Sequence, residues 1–382
     1  MLLQPQKHLF DLPDAVTYLN GAYMAPQLNS VEAIGISNLK RKAHPFLIKE
    51  ADFFSEKEIL RERFAKLIDT NDAQRIAIIP SVSFGVASAV SNIPFEKGDE
   101  ILVLKEQFPS NYYSWKQLES EKGVQIKTIE DPAIAEGRGA AWNQSILEAI
   151  SNKTKCVALP LVHWADGTKF DLIEIRKRTR EVGAYLIIDG TQSVGAMLFS
   201  VNEIQPDALI CGGYKWLLGP YGMGLAYFSE RFDYGIPLDN NWMNHEGAEN
   251  FSNLVNYNLA FKPKAVRYDI GGSSNFILTP MLSEAIRQLN IWGPKSIQEY
   301  CASLTDDAIE ELQGLGYFIE DIAYRGSHLF GIYIPEHRNL ETIKNRLIEE
   351  QVFVSYRGNA IRISPNVYNT KKDLKKLVAC FV

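Results

Sequence analysis

The sequence has little that would place it in a membrane, on nucleic acid or around a metal. Only four of its 382 residues are cysteine, and their spacing matches neither a disulfide framework nor a metal site. The six histidines are too far apart for a zinc motif. No apolar run approaches the length of a membrane span, and no cluster of Lys or Arg offsets the net charge of −6. Metal, membrane and nucleic-acid partners are therefore not expected.

A secretion signal is also missing from the sequence. The first residues, Met-Leu-Leu-Gln-Pro-Gln-Lys-His, lack the hydrophobic core of a signal peptide. Together with the unpaired cysteines, this predicts a cytoplasmic protein with reduced thiols. A hydrophobic content of 46% and a charged content of 23% are typical of globular proteins, and the length suffices for two or three domains.

Between about residues 55 and 230, short apolar runs alternate with helical patterns. Such alternation predicts a mainly parallel sheet covered by helices, an α/β fold. The candidate strands are residues 76–79, 101–104, 156–159, 185–188, 208–211 and 225–228. After about residue 275 the pattern changes to helices with a few short strands. We therefore expect a large domain of residues 19–279 and a small α+β domain of residues 280–382, which residues 1–18 join.

Two reactive side chains follow neighbouring apolar runs. Asp189 directly follows the run 185–188, and Lys215 comes after the run 208–211 in a stretch, 211–228, with no other charge. The carboxyl ends of parallel strands form the sheet edge at which α/β proteins bind ligands. Pyridoxal phosphate (PLP) chemistry needs a lysine for the Schiff base and an aspartate that keeps the pyridine nitrogen protonated.

Three further features allow both a functional and a structural interpretation. The turn at Ser81–Gly85 lies between a strand and a helix, where backbone N–H groups hold a phosphate or a serine simply caps the helix. Phe108 follows a strand and either stacks on a cofactor or packs in the core. Arg362 lies inside an apolar strand pattern, where it either clamps a substrate carboxylate or forms a structural salt bridge.

These residues together resemble the class V aminotransferase group of fold-type I PLP enzymes. That group includes cysteine desulfurases, selenocysteine lyases, kynureninase and isopenicillin N epimerase. Asp189, Gln192 and Lys215 carry the resemblance, with a Gly-Pro-x-Gly-x-Gly pattern at 219–224 and an Arg-x-Ser-x-x-x-Tyr-Asn-Thr ending at 362–370. The resemblance implies a large domain with a mainly parallel seven-stranded sheet and a smaller C-terminal α+β domain.

The resemblance also implies a role for each matching residue. Lys215 is expected to form the Schiff base and to move the substrate proton, Asp189 to pair with the ring nitrogen, and Gln192 to contact the phenolic oxygen. The other expected cofactor contacts are Val82 through its backbone, Ser83, Phe108, Tyr214 and, from the partner in a homodimer, Ser273. The expected substrate contacts are Arg362, Trp164 and Asn20. The side-chain pocket is expected to be built from the segment Asn20–Tyr23, from Trp164 and from the loop 241–245.

Two departures from the family pattern narrow the chemistry. The stretch 354–361 lacks the nucleophilic cysteine that desulfurases carry just before the substrate-binding arginine, which argues against persulfide chemistry there. Trp164 stands where many relatives have Asn near the cofactor, so the site is expected to be narrower.

The reaction type is open at this point. Transamination of an amino acid is favoured because no side-chain catalyst of another reaction stands out; a PLP-dependent β-lyase and an epimerase use the same residues. A non-catalytic protein with this fold is a further alternative. A remote one is an NAD(P)-dependent reductase, since Tyr112 and Lys116 have the short-chain dehydrogenase spacing, but no Gly-x-Gly-x-x-Gly turn accompanies them.

Overall fold

The computed structural model describes residues 3–382, in which helices and strands alternate along most of the chain. The helices are α1 (Asn29–Arg41), α2 (Ser55–Leu67), α3 (Val82–Asn92), α4 (Tyr113–Lys122), α5 (Arg138–Ala149), α6 (Leu172–Glu181), α7 (Val201–Ile204), α8 (Leu278–Trp292), α9 (Pro294–Gly314), α10 (Leu340–Glu349) and α11 (Lys371–Ala379). The strands are β1 (Thr17–Tyr18), β2 (Ile76–Ile79), β3 (Glu100–Leu104), β4 (Gln125–Ile129), β5 (Thr154–Pro160), β6 (Tyr185–Asp189), β7 (Ala208–Gly212), β8 (Gly224–Phe228), β9 (Phe330–Tyr333), β10 (Val352–Phe353), β11 (Ser355–Arg357) and β12 (Ala360–Ile363).

A seven-stranded sheet forms the centre, in the order β2-β8-β7-β6-β5-β3-β4. Its ladders are parallel except those that β8 makes with β2 and β7. The predicted mainly parallel sheet and its six candidate strands are confirmed. The seventh strand, β4, was not predicted because its sequence, Gln-Ile-Lys-Thr-Ile, is polar at alternate positions, as suits an edge strand with partly exposed side chains.

The central strands read as continuous apolar runs because both faces of the sheet are covered. Along β6, Leu186 and Ile188 pack into one hydrophobic cluster, while Tyr185 and Ile187 pack into a second on the opposite face. All five residues of β6 are buried. The carboxylate of Asp189 therefore lies at the end of a strand with no water on either side.

The C-terminal part of the chain forms a three-stranded antiparallel sheet, β11-β12-β9, and β10 pairs with β1 in a parallel ladder. Through this ladder, and through a bridge between Asn20 and Ser364, the N-terminal segment packs on C-terminal strands. The predicted domain boundary after residue 279 falls in the first turn of α8 and stays a prediction, as does the assignment of residues 1–18, of which 1 and 2 lie outside the described residues. Among residues 3–382, no helix is long and apolar enough to cross a bilayer.

Candidate active site

One cavity of about 240 Å³ opens where β2, β3, β5, β6 and β7 end. The expected site residues that line it are Val82, Ser83, Phe108, Trp164, Asp189, Gln192, Tyr214 and Lys215. Their strands point in the same direction, so residues from five separate parts of the chain meet at one sheet edge. We call this space the Lys215 cavity.

Lys215 is held on a tight loop after β7. The N–H groups of Leu218 and Gly219 donate to the carbonyls of Lys215 (3.1 Å) and Gly213 (2.8 Å). A Cβ at Gly219 would come within 2.4 Å of the Leu282 side chain, and one at Gly213 within 2.7 Å of the Met223 carbonyl. The glycines in this stretch are thus needed for close packing, and they fix the backbone that presents Lys215.

The Lys215 amine lies among aromatic rings. Its Nζ is 5.2 Å from the ring centre of Phe108 and 5.5 Å from that of Tyr214. The residue is 5% exposed, and no carboxylate of residues 3–382 lies within 4.0 Å of it. Burial, with a smaller contribution from the charge of Arg362, lowers its pKa from 10.5 to about 8. A substantial fraction of the amine is therefore neutral and nucleophilic near neutral pH.

Asp189 supplies a buried carboxylate on the same cavity. One of its oxygens accepts a hydrogen bond from the Thr191 N–H (3.0 Å), and no cation of the described chain pairs with it. Burial raises its pKa, although the Thr191 hydrogen bonds and the charge of Lys215 act in the opposite direction. A buried carboxylate without a counter-charge is costly, so this position suits a ligand that brings a positive charge.

The N-terminus of α3 closes another side of the cavity. The Ser81 hydroxyl accepts from the Phe84 N–H (3.2 Å) as a helix cap and lies 2.9 Å from the Ser83 hydroxyl. Val82 and Ser83 occupy the first turn, where backbone N–H groups have no intrahelical acceptor. Capping and anion binding are thus compatible here, and this end suits a phosphate.

Gln192 is buried and lines the same cavity as Lys215, and its side-chain amide makes two hydrogen bonds within the chain. Its Nε2 donates to the Ala22 carbonyl (3.1 Å), and its Oε1 accepts from the Trp216 indole (2.9 Å). The amide has one further N–H to offer. The expected hydrogen bond from Gln192 to the phenolic oxygen of the cofactor stays a prediction, and this free N–H would be its donor.

Next to the Lys215 cavity lies an open pocket that shares Lys215 and four aromatic residues with it, and we call this pocket the mouth of the cavity. Arg362 lies on β12, lines the mouth and is 1% exposed. Its guanidinium donates to the Trp164 carbonyl (2.7 Å) and the Ser355 hydroxyl (3.3 Å), while its Nε has no partner among residues 3–382. The structural salt bridge considered for this residue is absent from the described chain, since no carboxylate lies within 4.0 Å. Burial and the charge of Arg357 lower its pKa to about 9. The buried guanidinium of Arg362 thus has no negatively charged partner among residues 3–382.

Three expected contacts lie outside the Lys215 cavity of their own chain. Asn20 accepts a hydrogen bond from the Ser355 hydroxyl (2.6 Å), and Ser355 in turn accepts one from Arg362, so Asn20 lies behind that arginine. The residues of this segment that line the mouth are Ala22–Met24. Ser273 is buried beside Lys57 and Asp269 (3.2 and 3.4 Å), so its role toward a partner stays a prediction. Trp242 and His245 of the loop 241–245 border a separate cavity with residues 246–259, so the expected substrate contact of this loop stays a prediction.

Two lining residues were not anticipated. Tyr221, whose ring lies 4.8 Å from that of Tyr214, is the variable residue of the Gly-Pro-x-Gly pattern and carries no sequence signal of its own. Arg357 lines the mouth and lies 5.1 Å from the Trp164 ring. The available signal for it was the Gly-Asn pair at 358–359, since a two-residue hairpin turn there puts Arg357 and Arg362 on the same face.

No thiol reaches this site. Cys156, Cys211, Cys301 and Cys380 are all buried, and none lines the Lys215 cavity. Residues 354–361, which include no cysteine, contain the tight hairpin of β11 and β12.

The amine of Lys215, with its lowered pKa, can react with an electrophile. The buried carboxylate of Asp189 can bind a cation, and the free N–H groups at the N-terminus of α3 can bind an anion. PLP carries an aldehyde, a ring nitrogen that accepts a proton, and a phosphate, so the residues present fit this cofactor. Fold and site therefore define a fold-type I PLP-dependent enzyme.

The chain belongs to the class V aminotransferase family, whose model, "Aminotransferase class-V", matches residues 36–377. Its cofactor is accordingly PLP. This family membership excludes the reductase alternative, and Lys116 lies on the exposed side of α4, where it pairs with Glu119.

Relatives in the family carry out more than one reaction. The uncharacterized aminotransferase YcbU of Bacillus subtilis (strain 168) is 27% identical over 84% of this chain and 82% of its own. A kynureninase of Cryptococcus neoformans var. neoformans serotype D (strain B-3501A) is 23% identical over 97% and 94%. A structure of a C-DES mutant with glycine covalently linked to the PLP cofactor superposes with a TM-score of 0.86 at 17% identity, covering 98% of both chains. The family thus includes both transferases and lyases.

Proposed function

We propose that this protein is an aminotransferase that acts on an amino acid through a Schiff base at Lys215. The observation that carries the proposal is the buried Lys215 amine, free of any carboxylate of the described chain, opposite Asp189 in one cavity. When bound, PLP supplies an aldehyde that condenses with amines and a ring that accepts the electron pair of a Cα–H bond. The remaining steps depend on the residues of this chain.

Each polar group has a separate task in this proposal. Arg362 binds the α-carboxylate as a two-pronged donor, which orients the Cα–H bond toward Lys215. Lys215 would remove the Cα proton and would deliver it to the carbon that PLP supplies as its aldehyde carbon, and a pKa of about 8 suits both proton transfers near neutral pH. Asp189 stabilises positive charge on the ring nitrogen, and Val82 and Ser83 hold the phosphate. Phe108, Tyr214 and Trp164 enclose the reacting atoms and exclude water.

Transamination is favoured over cysteine-dependent desulfuration because all four cysteines are buried away from the cavity. A β-lyase is the second candidate, and it is supported by the Tyr214–Tyr221 pair, which places one phenol beside Lys215 and a second in the lining of the same cavity. We further propose a cytoplasmic homodimer in which Ser273 and the loop 241–245 face the partner's site.

Product analysis separates these reactions. With the purified PLP-loaded protein and single L-amino acids, a transaminase is expected to release about one keto acid per active site without ammonia, and to turn over only when a keto-acid acceptor is added. A β-lyase releases ammonia or alanine with a side-chain fragment, and an epimerase only inverts the donor. Either of these results would refute transamination while leaving the role of Lys215 intact.

The lowered pKa of Lys215 predicts how cofactor loading depends on pH. Only the neutral amine attacks an aldehyde, so the rate at which the apoprotein attaches PLP is expected to rise with pH, with a midpoint near 8, and to level off above it. Stopped-flow absorbance across pH 6–11 measures this. A midpoint near 10.5, the ordinary lysine value, would show that burial does not control this amine. An Asp189→Asn variant, which lacks the nearby carboxylate, is expected to shift the midpoint downward.

A further inference from the structure

Arg357 and Arg362 lie on the same face of one hairpin. In the antiparallel ladder of β11 and β12, Ser355 pairs with Arg362 and Arg357 pairs with Ala360. Directly paired residues share a face, and so do residues two apart on a strand, so the two arginines are diagonal neighbours, roughly 7–8 Å apart at the backbone. Both side chains line the mouth of the Lys215 cavity.

Neither arginine has a carboxylate partner among residues 3–382. Arg357 donates to the Tyr356 carbonyl (2.6 Å), its guanidinium lies 5.1 Å from the Trp164 ring centre, and its Nε is buried without a partner. It also borders a second cavity, whose acidic residues are Glu106, Asp131 and Asp166. Asp131 and Asp166 pair with Arg138, and none of the three lies within 4.0 Å of an Arg357 nitrogen.

Like charges on diagonal positions repel one another, and the mouth offers nothing to offset the repulsion. Its lining contains Lys215, Arg357 and Arg362 but no acidic residue. Two neighbouring guanidinium groups, each with unused hydrogen-bond donors, favour the binding of a ligand that carries more than one negative charge. A substrate with a single carboxylate would satisfy Arg362 alone.

We infer that the substrate is an amino acid with a second acidic group on its side chain, and that Arg357 binds this group while Arg362 binds the α-carboxylate. The inference rests on the proposed function for the orientation of the substrate. The Arg357 guanidinium is a planar fork that lies 5.1 Å from the Trp164 ring centre, and such a fork favours a planar carboxylate that accepts two parallel hydrogen bonds.

Non-reacting carboxylates test the inference without catalysis. Calorimetry on the PLP-loaded protein compares succinate with butyrate and glutarate with valerate, which match in length and differ in one carboxylate. We expect the dicarboxylate of the better-fitting pair to bind at least ~10-fold more tightly, as a second charge-assisted contact implies. Arg357→Gln is expected to remove the preference and to leave monocarboxylate binding within about 2-fold, since Arg362 still holds the first carboxylate. Arg357→Lys keeps the positive charge but loses the two parallel N–H donors, and it is expected to retain part of the preference for the dicarboxylate.

The matched control is Arg178→Gln, a partly exposed arginine on α6 that pairs with Glu181 and should leave both affinities unchanged. Equal affinity for the members of both pairs, or a preference that survives in Arg357→Gln protein of unaltered melting temperature, would overturn the inference. Borohydride trapping at Lys215 tests the proposed function separately. If borohydride traps the cofactor at Lys215 but dicarboxylates bind no more tightly than monocarboxylates, only the inference about the substrate is wrong. If trapping fails but the dicarboxylate preference is present, the proposed function is wrong and the arginines form a binding site for a dianion.

Discussion

Lys215→Ala is expected to abolish covalent attachment of PLP and to lower the rate of the amino-acid reaction by at least ~10³-fold. The amine is the group that condenses with the aldehyde, and it is also the base that lies over the reacting carbon in our proposal. No other lysine of residues 3–382 lines the Lys215 cavity, so none can substitute for it. Borohydride reduction followed by peptide mass spectrometry measures attachment, and steady-state kinetics measures the rate.

Lys169→Ala is the matched control. Lys169 is partly buried and its pKa is also lowered by burial, but it lies outside the Lys215 cavity. We expect this variant to retain the borohydride-stable linkage and activity within about 2-fold. If Lys215→Ala protein still carried a reducible linkage in the peptide around position 215, or elsewhere at full stoichiometry, the assignment of Lys215 would be wrong.

Asp189→Asn is expected to lower the rate by roughly 10²–10³-fold, the usual cost of losing one preorganised electrostatic contact to a charge that develops in the reaction. The amide oxygen can still accept the Thr191 N–H, so the geometry at the end of β6 is kept. The negative charge that would balance a protonated ring nitrogen is lost. Single-turnover kinetics at saturating amino acid separates this loss from weaker cofactor binding.

The same substitution should have the opposite effect on the apoprotein. Burial raises the pKa of Asp189 above its ordinary value of 3.8, so protonation favours the folded state. The resulting stabilisation is full below the unfolded-state pKa and is lost as pH rises through the folded-state pKa. At neutral pH the charged carboxylate therefore destabilises the apoprotein, and Asp189→Asn should raise its melting temperature. A lower melting temperature together with a slower reaction would indicate a structural role and contradict our proposal.

Much of the large sheet could be predicted because its signal is local. Strands β2, β3, β5, β6, β7 and β8 are buried on both faces, so each stands out as a short apolar run. The same reasoning predicted that Asp189 and Lys215 meet, since parallel strands end at a common edge. Strand β4 could not be predicted from an apolar run because an edge strand need not be apolar, and its residues 125–128 are partly exposed.

The mouth of the site could not be predicted in the same way. Asn20 and Arg362 were expected to touch the substrate directly, but Asn20 contacts Ser355, which in turn contacts Arg362. The loop 241–245 was expected in the same pocket and borders another cavity. The placement of Asn20 depends on a contact with Ser355, which is 335 residues away, and no local pattern encodes such a contact.

The sequence by itself determined the apolar strands, and it predicted that Asp189, Lys215 and the turn at Ser81–Gly85 meet at one sheet edge, because apolar runs and strand ends are encoded within a few residues. Only the tertiary structure decided the charge environment of the site. It left Lys215 and Asp189 without counter-ions in the described chain, and it brought Arg357 and Arg362 to one mouth without an acidic residue. Burial and pairing set the pKa of each group, and both depend on which distant segments pack around it.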